Sequence, residues 1–189
     1  PRGCHTFYMF VDPKTYFKDH PEYYSMDNEG KRTIGTGVVG ASGSQLCLTN
    51  PEVKAIVIKE LRRMIKENDA EFEAKGREKP RLYDFSQEDN SRHLCRCPKC
   101  KALMEKEGGD AGPLVAFLND VADDLAKDYP DLKIRTLAYV SSELAPKTIR
   151  PRDNIVIQYA DLYTRSDCYR PLTHPVNEKQ REKLADWGK

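Results

Sequence analysis

Two adjacent carboxylates, Glu88 and Asp89, are the residues whose type and position most suggest chemistry. They follow residues 81–85, a segment whose apolar and aromatic side chains favour a β-strand. Carboxylates at the end of a strand can donate and accept protons or orient a substrate. The sequence therefore predicts a catalytic loop here. The alternative is a solvated acidic turn that caps a helix.

Three cysteines, Cys95, Cys97 and Cys100, lie just beyond the carboxylates with the spacing C-x-C-x-x-C. Their thiolates could provide three of the four tetrahedral ligands of a structural Zn²⁺ ion. The second interpretation is a disulfide to a distant cysteine, which a secreted protein would favour, and the third is free buried thiols. The candidates for the fourth zinc ligand are Cys47, Cys4 and His93.

The composition predicts a single domain, residues 1–189, with enough length for a hydrophobic core. Charged residues make up 32% of the chain, hydrophobic residues 39%, and the net charge is +1. The basic residues are scattered and acidic residues flank those near the cysteines, which argues against a nucleic-acid partner. No apolar run reaches about 18 residues, so we expect no membrane span. The chain begins at Pro1 without a signal peptide, so we expect a mature chain or an excised piece.

Hydrophobic periodicity predicts strands and helices that alternate along the chain. Short apolar runs predict strands at residues 6–11, 45–48, 81–85, 134–140 and 155–159. Amphipathic spacing predicts helices at residues 51–68 and 113–128 and, after a cap at Asn177, a last helix through Trp187. Residues 12–44 form a long connection rich in aromatic residues, which we interpret as an ordered loop over a site.

Strands that alternate with helices predict a parallel sheet with right-handed crossovers. A doubly wound sheet and part of a (β/α)8 TIM-type barrel both fit, but no glycine-rich phosphate loop directly follows a strand, as a nucleotide-binding fold would require. A complete barrel needs about 250 residues, so a barrel built on about five strands would be incomplete. In either fold the functional site lies at the carboxyl ends of the strands. The polar residues predicted there are His5, Asn50, Glu88, Asp89, Tyr139 and Asp161.

Several segments together resemble the bacterial domain of unknown function 4838, part of which is classed as glycoside hydrolase family 163. The matching segments are GCHTFYMFVDPKTYFKDHPEYYSMDNEGKR, QLCLTNPEV, FSQEDNSRHLCRCPKCKAL, FLNDVADDLAKDYPD, TLAYV, RPRDNIVIQYADLY and a later THP. They occur in the family's order and cover nearly all of the chain. The resemblance implies the middle of a (β/α)8 catalytic barrel, within a longer bacterial protein that is periplasmic, cell-surface or secreted.

The resemblance also implies an activity, because the active members are similar to endo-acting β-N-acetylglucosaminidases that cleave complex N-glycans. It points to a substrate-assisted retaining mechanism, in which the acetamide of the sugar attacks and one carboxylate orients it. Glu88 would then be the acid and Asp89 the orienting group, or the two roles would be exchanged. Such catalysis needs no cofactor. The alternative function is an inactive barrel that binds carbohydrate.

Other side chains are expected to contact the glycan, since aromatic rings stack on sugar faces and histidine or arginine hydrogen-bonds to hydroxyl groups. The expected glycan-binding residues are His5, His20, Tyr23, Arg32, Asn50, Tyr139 and Asp161. For His20 the alternative is a loop histidine that only packs. Asp161 could equally cap the turn that follows it.

Overall fold

The computed structural model describes residues 3–34, 44–89, 94–160 and 170–189 of the chain. They form a mixed α/β fold around an open, three-stranded parallel sheet. Its strands are β1 (Leu82–Asp84), β2 (Lys133–Ala138) and β3 (Ile155–Tyr159), in the spatial order β1-β2-β3. Because the strands are parallel, their carboxyl ends lie at the same end of the sheet.

Helices and short 3₁₀ turns make up the other regular structure of the described residues. The α-helices are α1 (Phe7–Phe10), α2 (Pro13–Tyr16), α3 (Pro51–Ala74), α4 (Pro98–Glu107), α5 (Ala111–Leu125) and α6 (Glu178–Trp187). The 3₁₀ turns are Pro21–Tyr23, Val140–Ser142 and Pro175–Asn177. None of the described helices is long and apolar enough to cross a membrane.

Helix α3 begins where the sequence predicts and ends later. Asn50 caps it, because its side-chain oxygen accepts hydrogen bonds from the backbone N–H groups of Glu52 at 2.8 Å and Val53 at 3.4 Å. The apolar side chains of its inner face are buried up to Ile65. Beyond Asn68, where the prediction ends, the helix continues to Ala74 through residues that mostly have high helix propensity.

The aromatic run at residues 6–11, predicted as a strand, is instead the short helix α1. The backbone N–H of Phe7 donates to the carbonyl of Ser86 at 3.1 Å, which fixes the start of this turn. Phe7 and Phe10 then face the same side and both contact the ring of Phe85, with centroids 4.6 and 5.3 Å away. Burial of two aromatic rings three positions apart therefore favours the helical turn over a strand.

The strand predicted at residues 45–48 is also wrong, because only Leu46 pairs there, through an isolated antiparallel bridge to Tyr24. The helix α4 is absent from the prediction, although Pro98 starts it and Gly108 ends it with φ of 84°. The sheet thus has three of the five predicted strands and two open edges, β1 and β3, so the described residues do not form a closed barrel.

Helix α5 covers the sheet in the crossover from β1 to β2. Its residues are buried on most sides, and the ring of Phe117 stacks on Phe85 with centroids 5.3 Å apart. The connection from β2 to β3, residues 139–154, contains a 3₁₀ turn and no α-helix. The second crossover therefore lacks the helix that a regular β/α unit would have.

Glu107, at the end of α4, anchors this second crossover. Its side chain is fully buried and accepts hydrogen bonds from the backbone N–H groups of Thr148 at 2.8 Å and Ile149 at 3.0 Å, and from the Thr148 hydroxyl at 2.6 Å. Burial alone would raise the pKa of Glu107, but these hydrogen bonds lower it below its ordinary value of 4.5. The ionised carboxylate is therefore the form that holds the loop.

Replacing Glu107 by glutamine should lower the free energy of unfolding by about 2 kcal/mol at pH 7, because the two charge-assisted hydrogen bonds from the backbone N–H groups would become weaker neutral ones. Since the folded pKa is lowered, the stabilisation is present above pH 4.5 and is lost as the pH falls through the folded pKa. The deficit of Glu107→Gln should therefore shrink in acid. Urea unfolding across this range measures it, with Glu105→Gln on the exposed face of α4 as the control. Equal stability of the two variants at pH 7 would contradict the anchoring role.

Candidate functional site

Four of the predicted site residues come together at the carboxyl ends of β1 and β2. Glu88 and Asp89 follow β1, and Tyr139 directly follows β2. The Tyr139 hydroxyl donates to Oδ1 of Asp89 at 2.6 Å. The ring of His5 lies edge-on to the ring of Tyr139, with centroids 5.6 Å apart. This polar cluster, which we call the strand-end site, is where the sequence placed its candidate chemistry.

The backbone of Glu88 is held by the side chain of Gln45, which is fully buried. Oε1 of Gln45 accepts the Glu88 N–H at 2.9 Å, and Nε2 of Gln45 donates to the Glu88 carbonyl at 3.0 Å. One amide therefore satisfies both backbone groups of the candidate acid. The segment before α3 thereby fixes the loop that follows β1.

A second buried glutamine, Gln87, joins the loops after β1 and β2. Its Nε2 donates to the carbonyl of Tyr139 at 3.3 Å, and its Oε1 accepts from the Ser142 hydroxyl at 2.6 Å. The side chains of Gln87 and Ser142 are fully buried, so these hydrogen bonds are shielded from water. The position of Tyr139 relative to Asp89 is fixed by this bridge.

The carboxyl group of Glu88 is half-buried and accepts the backbone N–H of Tyr8 at 2.9 Å. Burial raises its pKa above the ordinary value of 4.5, and the neighbouring Asp89 adds to this. The Tyr8 N–H and the nearby His5 act in the opposite direction but do not cancel the effect. A carboxyl group that keeps its proton at higher pH is suited to act as a general acid.

His5 is oriented through its other contacts. Its Nδ1 lies 2.8 Å from the carbonyl of Gln87, which can only accept, so Nδ1 carries the proton. In the neutral ring Nε2 is then a hydrogen-bond acceptor, and this makes His5 a candidate partner for a hydroxyl group. Its backbone N–H donates to the Ser86 hydroxyl at 2.8 Å.

The backbone is strained at two places in the strand-end site. His5 has φ of 61° and Val140, next to Tyr139, has φ of 50°; among the described residues these are the non-glycine positions with positive φ. For a β-branched residue such as valine this conformation is a genuine outlier. Strain of this kind is retained at functional sites, because the surrounding contacts fix it.

The other predicted sugar-binding residues of the described chain gather around Glu22 instead. His20 stacks on Tyr23, with centroids 4.6 Å apart, and Nδ1 of His20 lies 3.1 Å from the Glu22 carboxylate. Arg32 and Asn50 both donate to the carbonyl of Glu22, at 3.1 and 3.4 Å. These contacts connect the long aromatic loop to the start of α3 and do not involve the strand-end carboxylates.

Tyr23 and Asn50 also have structural roles in this group. The Tyr23 hydroxyl donates to Glu52, and this hydrogen bond is the main reason that the pKa of Tyr23 rises to about 12. The Asn50 side chain caps α3, so its oxygen is already occupied. Two predicted residues, Asp161 and His93, lie outside the residues that the structure describes.

The predicted thiol cluster is present, and a fourth cysteine completes it. The Sγ atoms of Cys47, Cys95, Cys97 and Cys100 all lie within 4.8 Å of one another, and all four residues are buried. Cys4, another candidate fourth ligand, is exposed and is not part of the group. The cysteines within the described ranges carry free thiols, so the disulfide interpretation has no counterpart there. We call these four residues the thiol cluster.

The residues that sequence reasoning missed are Gln45, Gln87, Ser142 and Tyr8. Gln45 begins the apolar run QLCL and Gln87 directly precedes the acids. An amide side chain next to an apolar run or next to a candidate acid is the sequence signal that indicates a structural role for Gln45 and Gln87. The role of Tyr8 depends on its backbone N–H, and no residue type reports that.

The fold and the site define a mixed α/β protein with a carboxylate pair at the carboxyl ends of its parallel strands. The model of the family described as "Domain of unknown function (DUF4838)" matches residues 1–189. The chain therefore belongs to that family. No curated protein and no solved structure matches the sequence.

Replacing Glu88 by glutamine should raise the melting temperature at pH 7. Because the folded pKa of Glu88 is raised, its favourable effect on folding is complete below pH 4.5 and is lost as the pH rises through the folded pKa. Glutamine keeps the acceptor for the Tyr8 N–H and has no charge to bury. The gain should disappear below pH 4.5, which thermal unfolding at several pH values measures. Glu182→Gln, on the exposed face of α6, is the control, and a lower melting temperature for Glu88→Gln would contradict the burial effect.

Proposed function

We propose that this domain is a glycoside hydrolase in which Glu88 protonates the leaving oxygen. The observation that carries the proposal is the strand-end site, where a half-buried carboxyl group stands beside a second carboxylate held by a tyrosine. Glycosidic cleavage needs a proton donor and a group that stabilises the oxocarbenium-like centre. Glu88 and Asp89 supply these two functions.

Substrate-assisted cleavage fits the different surroundings of the two carboxylates, because Glu88 is half-buried with a raised pKa and Asp89 accepts a hydrogen bond from Tyr139. In the first step the acetamide oxygen of the sugar forms a bond to the anomeric carbon, while the glycosidic bond breaks and Glu88 gives its proton to the leaving oxygen. Asp89 accepts a hydrogen bond from the acetamide N–H and stabilises the positive charge on the cyclised intermediate. In the second step ionised Glu88 takes a proton from water. The water oxygen attacks the anomeric carbon, and the bond between that carbon and the acetamide oxygen breaks, which restores the acetamide.

Tyr139 and His5 are positioned to support this chemistry. The hydroxyl of Tyr139 holds Asp89 in one orientation through the 2.6 Å hydrogen bond, and Gln87 holds Tyr139. Nε2 of His5, whose Nδ1 is held by the Gln87 carbonyl, is available for a hydrogen bond with a sugar hydroxyl. The group around Glu22 belongs to the loop segment that we propose to border the glycan.

The resemblance to glycoside hydrolase family 163 supports the substrate class that we propose, an N-glycan cut internally after N-acetylglucosamine. It also supports a (β/α)8 barrel, of which the three described strands would be part. Among the described residues both edges of the sheet are open, and Leu82 at the β1 edge is 39% exposed, as expected if further elements of a barrel cover it. For such a substrate we propose a location outside the cytoplasm.

In the full-length protein, Glu88→Gln should lower kcat on an N-glycan by about 10²–10⁴-fold, because the proton donor is lost. The matched control is Glu182→Gln, which should keep full turnover. Release of oligosaccharide from a glycoprotein, followed by chromatography, measures both. Near-full turnover by Glu88→Gln would reject Glu88 as the acid. A full-length protein that binds glycans without cleaving any would instead be a carbohydrate-binding barrel.

The dependence of turnover on the acetamide group separates the substrate-assisted mechanism from direct attack by a carboxylate, and Asp89→Asn and Tyr139→Phe test the orienting group. Asp89→Asn should lower kcat strongly, because the orienting charge is lost, and Tyr139→Phe should lower it less, because Asp89 remains. Substrates without the acetamide should be poor even for the unmodified enzyme. Equal turnover of substrates with and without the acetamide would show that the sugar does not supply the nucleophile.

A further inference from the structure

The thiol cluster has the dimensions of a metal site. A tetrahedral Zn²⁺ ion has Zn–S distances of about 2.3 Å, so its sulfur ligands are separated by about 3.8 Å. The Sγ atoms of Cys47 and Cys97 are 3.7 Å apart, and all the pairs in the cluster lie within 4.8 Å. Four soft donors at this spacing match the all-cysteine structural zinc sites.

The surroundings of the cluster favour negatively charged sulfur. The backbone N–H groups of Met26 and Cys97 point to Sγ of Cys95, at 3.3 and 3.4 Å. The hydroxyl of Thr49 lies 3.1 Å from Sγ of Cys100. Helix α4 begins at Pro98, so Cys97 and Cys100 lie at its N-terminus, where the helix dipole favours anions.

Arg32 adds a positive charge to the same surroundings. Its guanidinium group hydrogen-bonds to Cys47 and lies close enough to Cys95 for their charges to interact. Four thiolates around one Zn²⁺ ion leave a net charge of −2, which an arginine and several N–H donors would partly compensate. Arg32 therefore has a structural role beside the thiol cluster, whereas the sequence predicted a sugar-binding role.

We propose that Cys47, Cys95, Cys97 and Cys100 bind one structural Zn²⁺ ion. The ion would connect the segment before α3 to the start of α4, and the four sulfurs would fill its coordination sphere. A full sphere leaves no position for water or substrate, so the ion has no part in the cleavage chemistry. This site does not depend on the glycosidase function.

The ion would also stabilise the positions of the two chain segments that lead to the strand-end site. Cys47 lies two residues after Gln45, whose side chain holds the backbone of Glu88. Cys95, the next cysteine of the cluster along the chain, lies six residues after Asp89. Both chain segments that frame the candidate acid would therefore end at the same metal.

The test uses the full-length protein without a histidine tag, purified in reductant and without chelator. Elemental analysis should find zinc, and X-ray absorption at the zinc edge should show four sulfur neighbours at about 2.3 Å. Cys100→Ser should lose one zinc equivalent relative to the unmodified protein, whereas Cys4→Ser, at an exposed cysteine outside the cluster, should lose none. Removing the metal with a chelator should lower the melting temperature.

Three outcomes would overturn the proposal, and all three are measured on the unmodified protein. Iron in place of zinc would assign a different metal. A metal-free protein whose four cluster thiols all react with an alkylating reagent on unfolding would leave buried cysteines as the answer. Disulfides between cluster cysteines, found by mass spectrometry of the unreduced protein, would exclude the metal. If Cys100→Ser does not fold, the second variant is Cys95→His, which keeps a zinc ligand. It should bind one zinc ion per chain, as the unmodified protein does.

Discussion

The two hydrogen bonds between the side chain of Gln45 and the backbone of Glu88 are the interaction on which the site depends. They are fully buried on the Gln45 side, and they join segments 43 positions apart in the sequence. They fix the loop after β1 relative to the segment that precedes α3. A single amide thus connects the region that would border a ligand to the region that would act on it.

The same logic of side chain to backbone contacts recurs throughout the fold. Gln87 fixes the loop after β2, Glu107 fixes the connection to β3, and Asn50 fixes the start of α3. In each case a polar side chain satisfies backbone groups that have no partner in a helix or sheet. The loops of this protein are therefore ordered by buried polar contacts, while the hydrophobic core orders the elements between them.

The sequence predicted those elements that depend on apolar periodicity alone. The helices α3 and α5 and the strands β1, β2 and β3 follow from runs of apolar residues at regular spacing, whereas the prediction of α6 rests on a cap at Asn177. The prediction failed at α1, where a run of aromatic residues suits a strand and a helical turn equally well. It also missed α4, because its hydrophobic face is short and its first turn carries cysteines that suggested a loop.

For the site, the sequence located the carboxylates and the thiols but did not show which residues meet. Tyr139 contacts Asp89, and Cys47 joins the other three cysteines, through contacts between segments about 50 residues apart. Such pairings depend on how the chain crosses from one strand to the next, and no local pattern encodes that. The expected sugar-binding residues divided into two groups for the same reason.

The left-handed backbone at His5 and Val140 limits how many substitutions the protein can tolerate. Each such conformation costs about 1–3 kcal/mol, and a folded domain has a net stability of only about 5–15 kcal/mol. The strain at the strand-end site therefore lowers the net free energy of unfolding by an amount that is large relative to its total. Mildly destabilising substitutions far from the site should accumulate to loss of folded protein sooner than in a domain without this strain.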